Sequence, residues 1–101
     1  MYRYQTHVQV KLAQWREFHS RLKELNALME AKGLLPFQLW ESKFDSFDAA
    51  LLVADYETLA AFERENDSMH ADPACMAAWR EMLAYVDEPP WTEMWWRPSS
   101  A

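Results

Sequence analysis

Residues 48–82, DAALLVADYETLAAFERENDSMHADPACMAAWREM, decide the fold, because the hydrophobic period changes twice within this segment. Its first part, residues 49–56, is almost wholly apolar and has no polar residue before Asp55. A strand that is covered on both faces has this composition, whereas a half-exposed strand alternates polar and apolar residues. The segment therefore predicts a central strand of a sheet.

The second part of the segment predicts two helices in succession. The apolar residues between positions 59 and 69 form a stripe opposite charged residues, which is typical of a short amphipathic helix. We expect residues 66–68, Asn-Asp-Ser, to end this helix. Asp72-Pro73 predicts the start of the next one, because Asp is a preferred N-cap and Pro fits the first helical position. The predicted apolar stripe of this second helix consists of Met76, Trp79, Leu83 and Val86.

Upstream of this segment the sequence predicts a strand and a long helix. Residues 2–10 alternate, with tyrosines, Thr6 and valines on one face and with polar residues on the other, which indicates a strand with one apolar face. Between residues 11 and 32 apolar positions recur every three or four residues, which predicts an amphipathic helix whose stripe begins at Leu12. Gly33 suits the left-handed C-cap of this helix.

Residues 34–41 predict a second strand. Apolar Leu39 follows polar Gln38, so the two side chains lie on opposite faces of the strand and Trp40 shares the face of Gln38. Pro36 has no N–H to donate and therefore belongs at a sheet edge or at the strand start. The polar, turn-rich residues 43–48 predict a hairpin into the central strand.

The order of the predicted elements indicates the fold class. Pro89-Pro90 prevents further helix, so residues 91–97 predict a last strand and residues 98–101 a short tail. The resulting order, β-α-β-β-α(α)-β, is that of an α+β, ferredoxin-like fold with an antiparallel four-stranded sheet, and we expect residues 1–97 to form a single domain. In this fold the helices would cover only one face of the sheet. Because the central strand shows no solvent face, we predict that a second copy of the chain covers the other face of the sheet. The resulting homodimer would be a dimeric α+β barrel.

Composition and net charge limit the classes of partner that the chain can bind and the compartment in which we expect it. The chain has 101 residues and a formal net charge of −6, so it lacks the basic face that nucleic acid or an anionic membrane surface requires. The single cysteine, Cys75, cannot form an internal disulfide, which is compatible with a reducing compartment. The sequence shows no signal peptide and no apolar run long enough to span a membrane. We therefore expect a cytoplasmic protein.

Several segments along the chain carry a family resemblance. They are the helix ending at Gly33, the strand ending near Trp40, Ala54-Asp55-Tyr56 followed by a helix, and His70-Ala71-Asp72-Pro73 leading to Trp79. In these features the chain resembles the NIPSNAP family of the dimeric α+β barrel superfamily. The resemblance implies the ferredoxin-like fold and a homodimer. Members of the superfamily include cofactor-independent monooxygenases of the antibiotic-biosynthesis type, isomerases and proteins with no assigned activity, so the fold alone does not select a reaction.

Two histidines are candidate catalytic bases. His7 lies in mid-strand beside Gln5, on the face that a dimer would bury, where an imidazole next to amides can act as a general base or orient a polar ligand. His70 is expected on a loop between the two helices, at the rim of the helical layer. In both cases a purely structural histidine is the alternative.

The remaining candidates are aromatic. Tyr56 is a third catalytic candidate, and Trp40, Tyr56 and Trp79 are predicted to form an aromatic pocket between sheet and helices, with core packing as the alternative. We predict no metal site and no cofactor, because the three histidines are dispersed and no glycine-rich phosphate loop is present.

Three functions remain open on these grounds. The leading hypothesis is a NIPSNAP-like homodimer that binds a small, largely apolar molecule in the cleft between sheet and helices. The first alternative is a cofactor-independent monooxygenase or isomerase that uses His7 or His70 as base, and the second is a structural or protein-interaction module whose exposed tryptophans bind a partner.

Overall fold

The computed structural model of the chain describes residues 1–43 and 48–98. It has four strands and three helices in the expected order. The elements are β1 (Tyr2–Gln9), α1 (Trp15–Ala31), β2 (Gln38–Glu41), β3 (Ala49–Tyr56), α2 (Leu59–His70), α3 (Pro73–Leu83) and β4 (Trp91–Trp96). The hairpin turn predicted for residues 43–48 lies mostly outside the described residues, as does most of the predicted tail.

The strands form one antiparallel sheet in the order β2-β3-β1-β4. The two central strands pair over their whole length, from Tyr2 opposite Tyr56 to Gln9 opposite Ala49. The expected α+β, ferredoxin-like arrangement and the central position of β3 are therefore confirmed. β2, which follows Pro36, is an edge strand, in agreement with the missing donor of that proline.

The helices pack against one face of the sheet. Thr6 and Val8 of β1 and Val10 directly after it are buried on this face, as are Leu52 and Ala54 of β3. One core cluster joins these strands to α1 and α3 through Phe18, Leu22 and Met82, and a second lies between the helices around Leu25, Met29, Met69 and Cys75. Both clusters thus lie between the sheet and the helices, while Val53 of β3 is buried on the other face of the sheet.

The opposite face of the sheet, which we call the open face, is covered by no described helix. Because side chains alternate along a strand, the register assigns to this face the odd-numbered residues of the three longer strands and the even-numbered residues of β2. Its members are Arg3, Gln5, His7, Gln9, Gln38, Trp40, Ala49, Leu51, Val53, Asp55, Trp91, Glu93 and Trp95. The predicted polar face of β1 is confirmed.

Helix boundaries differ from the sequence prediction at two places. α2 continues through residues 66–68 to His70, because Asp67 and Ser68 point to solvent on its exposed side and do not interrupt its backbone. His70 is therefore the last residue of a helix and not part of a loop. Leu12, which was expected on the α1 stripe, is 84% exposed and precedes the helix in a turn where Ala13 has a φ of 64°.

The buried stripe of α3 is also displaced from the predicted one. Cys75, Ala78 and Met82 are its buried residues, while Met76 and Trp79 are half-buried at its margin. Val86 lies beyond the helix end and pairs with Val10 in an isolated bridge. The prediction failed here because the helix contacts both α1 and the sheet, so its most buried line runs between these neighbours.

Both helix caps that the sequence indicated are present. The side chain of Asp72 accepts a hydrogen bond from the Cys75 N–H at 2.9 Å, with Pro73 at the first helical position. Gly33 has a φ of 75° directly after α1, a conformation that side chains disfavour. Within the described ranges, no helix is long and apolar enough to cross a membrane.

Candidate functional site

The predicted site residues lie on opposite faces of the sheet. Tyr56, His70 and Trp79 line a cavity between the sheet and the helices, which we call the sheet–helix cleft. His7 and Trp40 line a groove on the open face instead, and Gln5 lies on that face near the other end of the sheet. These candidates therefore line three separate concave regions and are not brought together in one site.

The sheet–helix cleft has a volume of about 90 Å³ and is mainly apolar. Three methionines line it from three different helices, Met29 from α1, Met69 from α2 and Met76 from α3. Methionine is unbranched and polarisable, so such a wall adapts to the shape of a ligand. The cleft is thus suited to a small molecule with a large apolar part.

Aromatic rings form the remaining walls of the cleft. Phe62 of α2 contacts Tyr4 with ring centroids 4.9 Å apart and Tyr56 with centroids 5.6 Å apart. On the other side, Phe37 and Trp79 lie 6.3 Å apart. These tilted and edge-on contacts fix the ring positions, so the cleft presents ring faces and edges to its interior.

Two polar side chains fix the outer walls of the cleft. The Asn26 amide donates to the Phe37 carbonyl at 3.0 Å and accepts from the Phe37 N–H at 2.9 Å, which holds the segment before β2 against α1. Glu65 of α2 accepts a hydrogen bond from the Leu35 N–H at 2.6 Å. The same segment is therefore tied to two helices that border the cleft.

Thr6 is a cleft residue that sequence reasoning did not select. Its side chain lines the cleft and is 1% exposed, and its Oγ1 has no hydrogen-bond partner among the described residues. A buried polar group without a partner costs free energy, so such groups are rare in folded proteins. The signal in the sequence was a hydroxyl among aromatic and aliphatic residues on the apolar face of β1.

Tyr56 supplies a hydroxyl that stays protonated at neutral pH. Burial, with a further contribution from the charge of Glu65, raises the pKa of Tyr56 to about 12. At physiological pH this side chain is therefore a neutral hydrogen-bond donor and acceptor.

His70 lies at the exposed end of α2 where the cleft opens. Its Nδ1 is 2.8 Å from the backbone carbonyl oxygen of Asn66. A carbonyl can only accept, so Nδ1 carries a proton, and Nε2 of the neutral imidazole is left as an acceptor. The position is thus compatible with a base at the mouth of the cleft.

On the open face His7 makes two close contacts. Its ring lies parallel to that of Trp91, with centroids 3.6 Å apart and planes 4° from parallel. Its Nε2 donates to Glu93 Oε1 at 2.6 Å, and this hydrogen bond is the main reason why the pKa of Glu93 is lowered. One ring nitrogen and one ring face of His7 are therefore occupied.

A second charge pair lies further along the open face. Arg3 donates from Nε and Nη2 to the two carboxylate oxygens of Asp55, at 2.8 and 3.0 Å. The hydrogen bond from Arg3 lowers the pKa of Asp55, against a smaller effect of burial in the other direction. The charges of the two central strands on this face are thus paired within the same chain.

Trp40 does not join Tyr56 and Trp79, which corrects the predicted three-residue aromatic pocket. Trp40 shares the face of Gln38, and this face points away from the helices, whereas Leu39 packs against the core. With Leu51, His7 and Trp91 it forms one row across the sheet. This row borders a groove of about 400 Å³.

The described residues offer no metal site. Within residues 1–43 and 48–98 there is no group of three or more His, Cys, Asp or Glu side chains that could hold a metal ion.

Comparison with known proteins identifies related folds. No protein-family model matches the chain, and no curated protein has significant sequence similarity to it. Among solved structures, a NIPSNAP domain protein from Burkholderia xenovorans superposes with a TM-score of 0.78 at 12% identity, covering 100% of this chain and 98% of the other. A NIPSNAP family protein from Agrobacterium tumefaciens gives 0.79 at 9% identity, with coverages of 99% and 88%.

A candidate antibiotic biosynthesis monooxygenase from Caulobacter crescentus is also similar, with a TM-score of 0.73, 21% identity and coverages of 93% and 86%. At these identities the similarity shows the fold alone. The expected likeness to NIPSNAP and antibiotic-biosynthesis-type proteins is thus confirmed as a shared fold.

Proposed function

We propose that this protein is a NIPSNAP-like homodimer that binds a small, largely apolar molecule in the sheet–helix cleft. The observation that carries the proposal is the cleft itself, which is lined by methionine and aromatic side chains around a few polar groups. Ligand sites in proteins commonly combine an apolar wall with few polar groups in this way.

The size of the cleft limits the ligand. An engineered apolar cavity of about 150 Å³ is known to bind benzene, and the cleft measures about 90 Å³. A single small ring therefore fits only if the flexible methionine side chains move aside or if part of the ligand extends towards His70 at the mouth. Larger polycyclic molecules would require movement of α2.

The homodimer is proposed from the composition of the open face. Trp40, Trp91 and Trp95 are 55%, 56% and 59% exposed there, which is unusual for large apolar side chains of an isolated chain. Leu51 lies between Trp40 and Trp91, and the Arg3–Asp55 ion pair and the hydrogen bond from His7 to Glu93 reduce the cost of burying these polar groups. A second copy packed against this face would bury these tryptophans and form the barrel.

The ligand proposal is tested by NMR of the protein with ¹³C-labelled methionine methyl groups. Addition of toluene or phenol should shift the signals of Met29, Met69 and Met76, which line the cleft. Met82 and Met94 lie outside it and are internal references. If no methyl signal shifts at millimolar probe, or if all signals shift alike, the proposal is wrong.

A second candidate function is favoured by the geometry of His70. With Nδ1 held by Asn66, Nε2 is available as a base beside the cleft, and Tyr56 supplies a neutral hydroxyl. This arrangement supports a cofactor-independent monooxygenase that begins by deprotonating a weakly acidic ligand. Oxygen uptake with hydroquinones should then be lost in His70→Ala and kept in His7→Ala. If the unchanged protein shows no oxygen uptake with hydroquinones, the monooxygenase function is excluded.

The remaining hypotheses concern partners and location. In the alternative function of an interaction module, the exposed tryptophans bind another protein, and a stable homodimer that buries them would argue against this function.

The proposed location is the cytoplasm. Cys75 is free and buried, which is compatible with a reducing compartment.

A further inference from the structure

The hydroxyl of Thr6 is a fully buried polar group of the sheet–helix cleft that has no hydrogen-bond partner among the described residues. Thr6 is 1% exposed. The residue lies on a central strand, where its cross-strand neighbours are Leu52 and Thr92. The surrounding sheet therefore holds Thr6 at the floor of the cleft.

A hydroxyl in such a position favours one kind of ligand. A small molecule that places an oxygen near Oγ1 would make the missing hydrogen bond, whereas a wholly apolar molecule would leave it unmade. Charged ligands are disfavoured, because the mainly apolar walls would remove much of their hydration. Glu65, a carboxylate on the cleft wall, further disfavours anions.

We propose that Thr6 is the specificity-determining residue of the cleft and that it selects an uncharged small molecule carrying a hydroxyl or carbonyl group over an apolar molecule of the same shape. The inference rests on the proposed binding function and adds the chemical class of the ligand. It assigns recognition of the ligand oxygen to the chain's first strand and not to His70 at the mouth.

The test compares phenol with toluene, which differ by a hydroxyl in place of a methyl group. Dissociation constants are measured from the methionine methyl shifts for the unchanged protein, for Thr6→Val and for Thr6→Ser. Because the two probes differ in hydration, the measured quantity is the ratio of their dissociation constants in each protein. Valine has nearly the shape of threonine but no hydroxyl, and serine keeps the hydroxyl.

We expect Thr6→Val to change this ratio by about fivefold to tenfold at the expense of phenol, which corresponds to one neutral hydrogen bond. Thr6→Ser should keep the ratio of the unchanged protein. An equal ratio in the unchanged protein and Thr6→Val overturns the inference while the binding function stands. If neither probe binds the unchanged protein, the binding function fails, and the inference fails with it.

Discussion

His7 and Trp91 stack in parallel at 3.6 Å on the open face, and they belong to neighbouring antiparallel strands at directly opposed positions. The stack extends a row that continues through Leu51 to Trp40 at the opposite sheet edge. Along the next positions the charges are paired between strands. The open face therefore combines flat apolar groups with charged side chains that are hydrogen-bonded within the chain, which is the composition of a surface that can be buried.

The first prediction concerns the homodimer. Leu51→Arg places an unpaired charge in the middle of the row and should raise the dimer dissociation constant at least about a hundredfold, since like charges that meet across a two-fold interface cost several kcal/mol. Leu59→Arg is the matched control, because Leu59 is an exposed leucine of α2. Sedimentation velocity at micromolar concentration measures the effect. A monomeric unchanged protein, or equal behaviour of both variants, contradicts the proposed interface.

The second prediction concerns stability in acid. Because Arg3 lowers the pKa of Asp55 in the folded chain, the carboxylate contributes stability above its ordinary pKa, and this contribution is lost as the pH falls through the lowered value. The free energy of unfolding should therefore fall less steeply between pH 5 and pH 2 in Asp55→Asn than in the unchanged protein. Urea denaturation at several pH values measures it. Identical slopes would show that the pair does not persist in solution.

The third prediction concerns Thr6 without ligand. Thr6→Val removes a buried hydroxyl that has no partner and leaves the packing volume nearly unchanged, so the free energy of unfolding should stay constant or rise by about 1 kcal/mol. Thr6→Ser keeps the hydroxyl and loses a methyl group, and it should lower the stability by about 1 kcal/mol. Urea denaturation distinguishes them. A clearly destabilised Thr6→Val protein would mean that Oγ1 makes a hydrogen bond in the free chain.

The fourth prediction concerns the start of α3. Asp72 is 8% exposed, caps the helix through the Cys75 N–H and pairs with Lys32. Asp72→Ala should lower the stability by about 1–2 kcal/mol through loss of the cap, and therefore the melting temperature by several degrees. Asp72→Asn retains a good cap and should lose less. Equal losses in thermal denaturation would assign the effect to the ion pair with Lys32.

The sequence predicted the strands better than the site. The alternation of β1 and the apolar run of β3 report directly on burial, so the faces of Thr6, His7 and the central strand followed from them. Residues 66–68 misled because turn-forming residues are also common on the solvent side of a helix, and local sequence does not show which side faces the core. Helix ends carry this uncertainty in general.

The site could be predicted only in part for a related reason. Alternation along β2 places the side chains of Trp40 and Leu39 on different faces of the sheet. It does not show which of these faces the helices cover, so the sequence also allows Trp40 to lie with Tyr56 and Trp79. Thr6 was overlooked because an unsatisfied hydroxyl is a property of the packed neighbours. It becomes visible only when the structure shows that no donor or acceptor reaches it.

α2 packs against the core through few buried side chains, and this affects how readily the helix opens. Met69 is its only buried residue, whereas α1 contributes Phe18, Leu22, Leu25 and Met29 to the core. Local opening of a segment costs less when fewer apolar contacts must be broken, so backbone amides of α2 should exchange with deuterated solvent well before those of α1 or β3. The outer wall of the cleft would then separate transiently while the sheet stays intact, and a guest molecule could reach the interior without global unfolding.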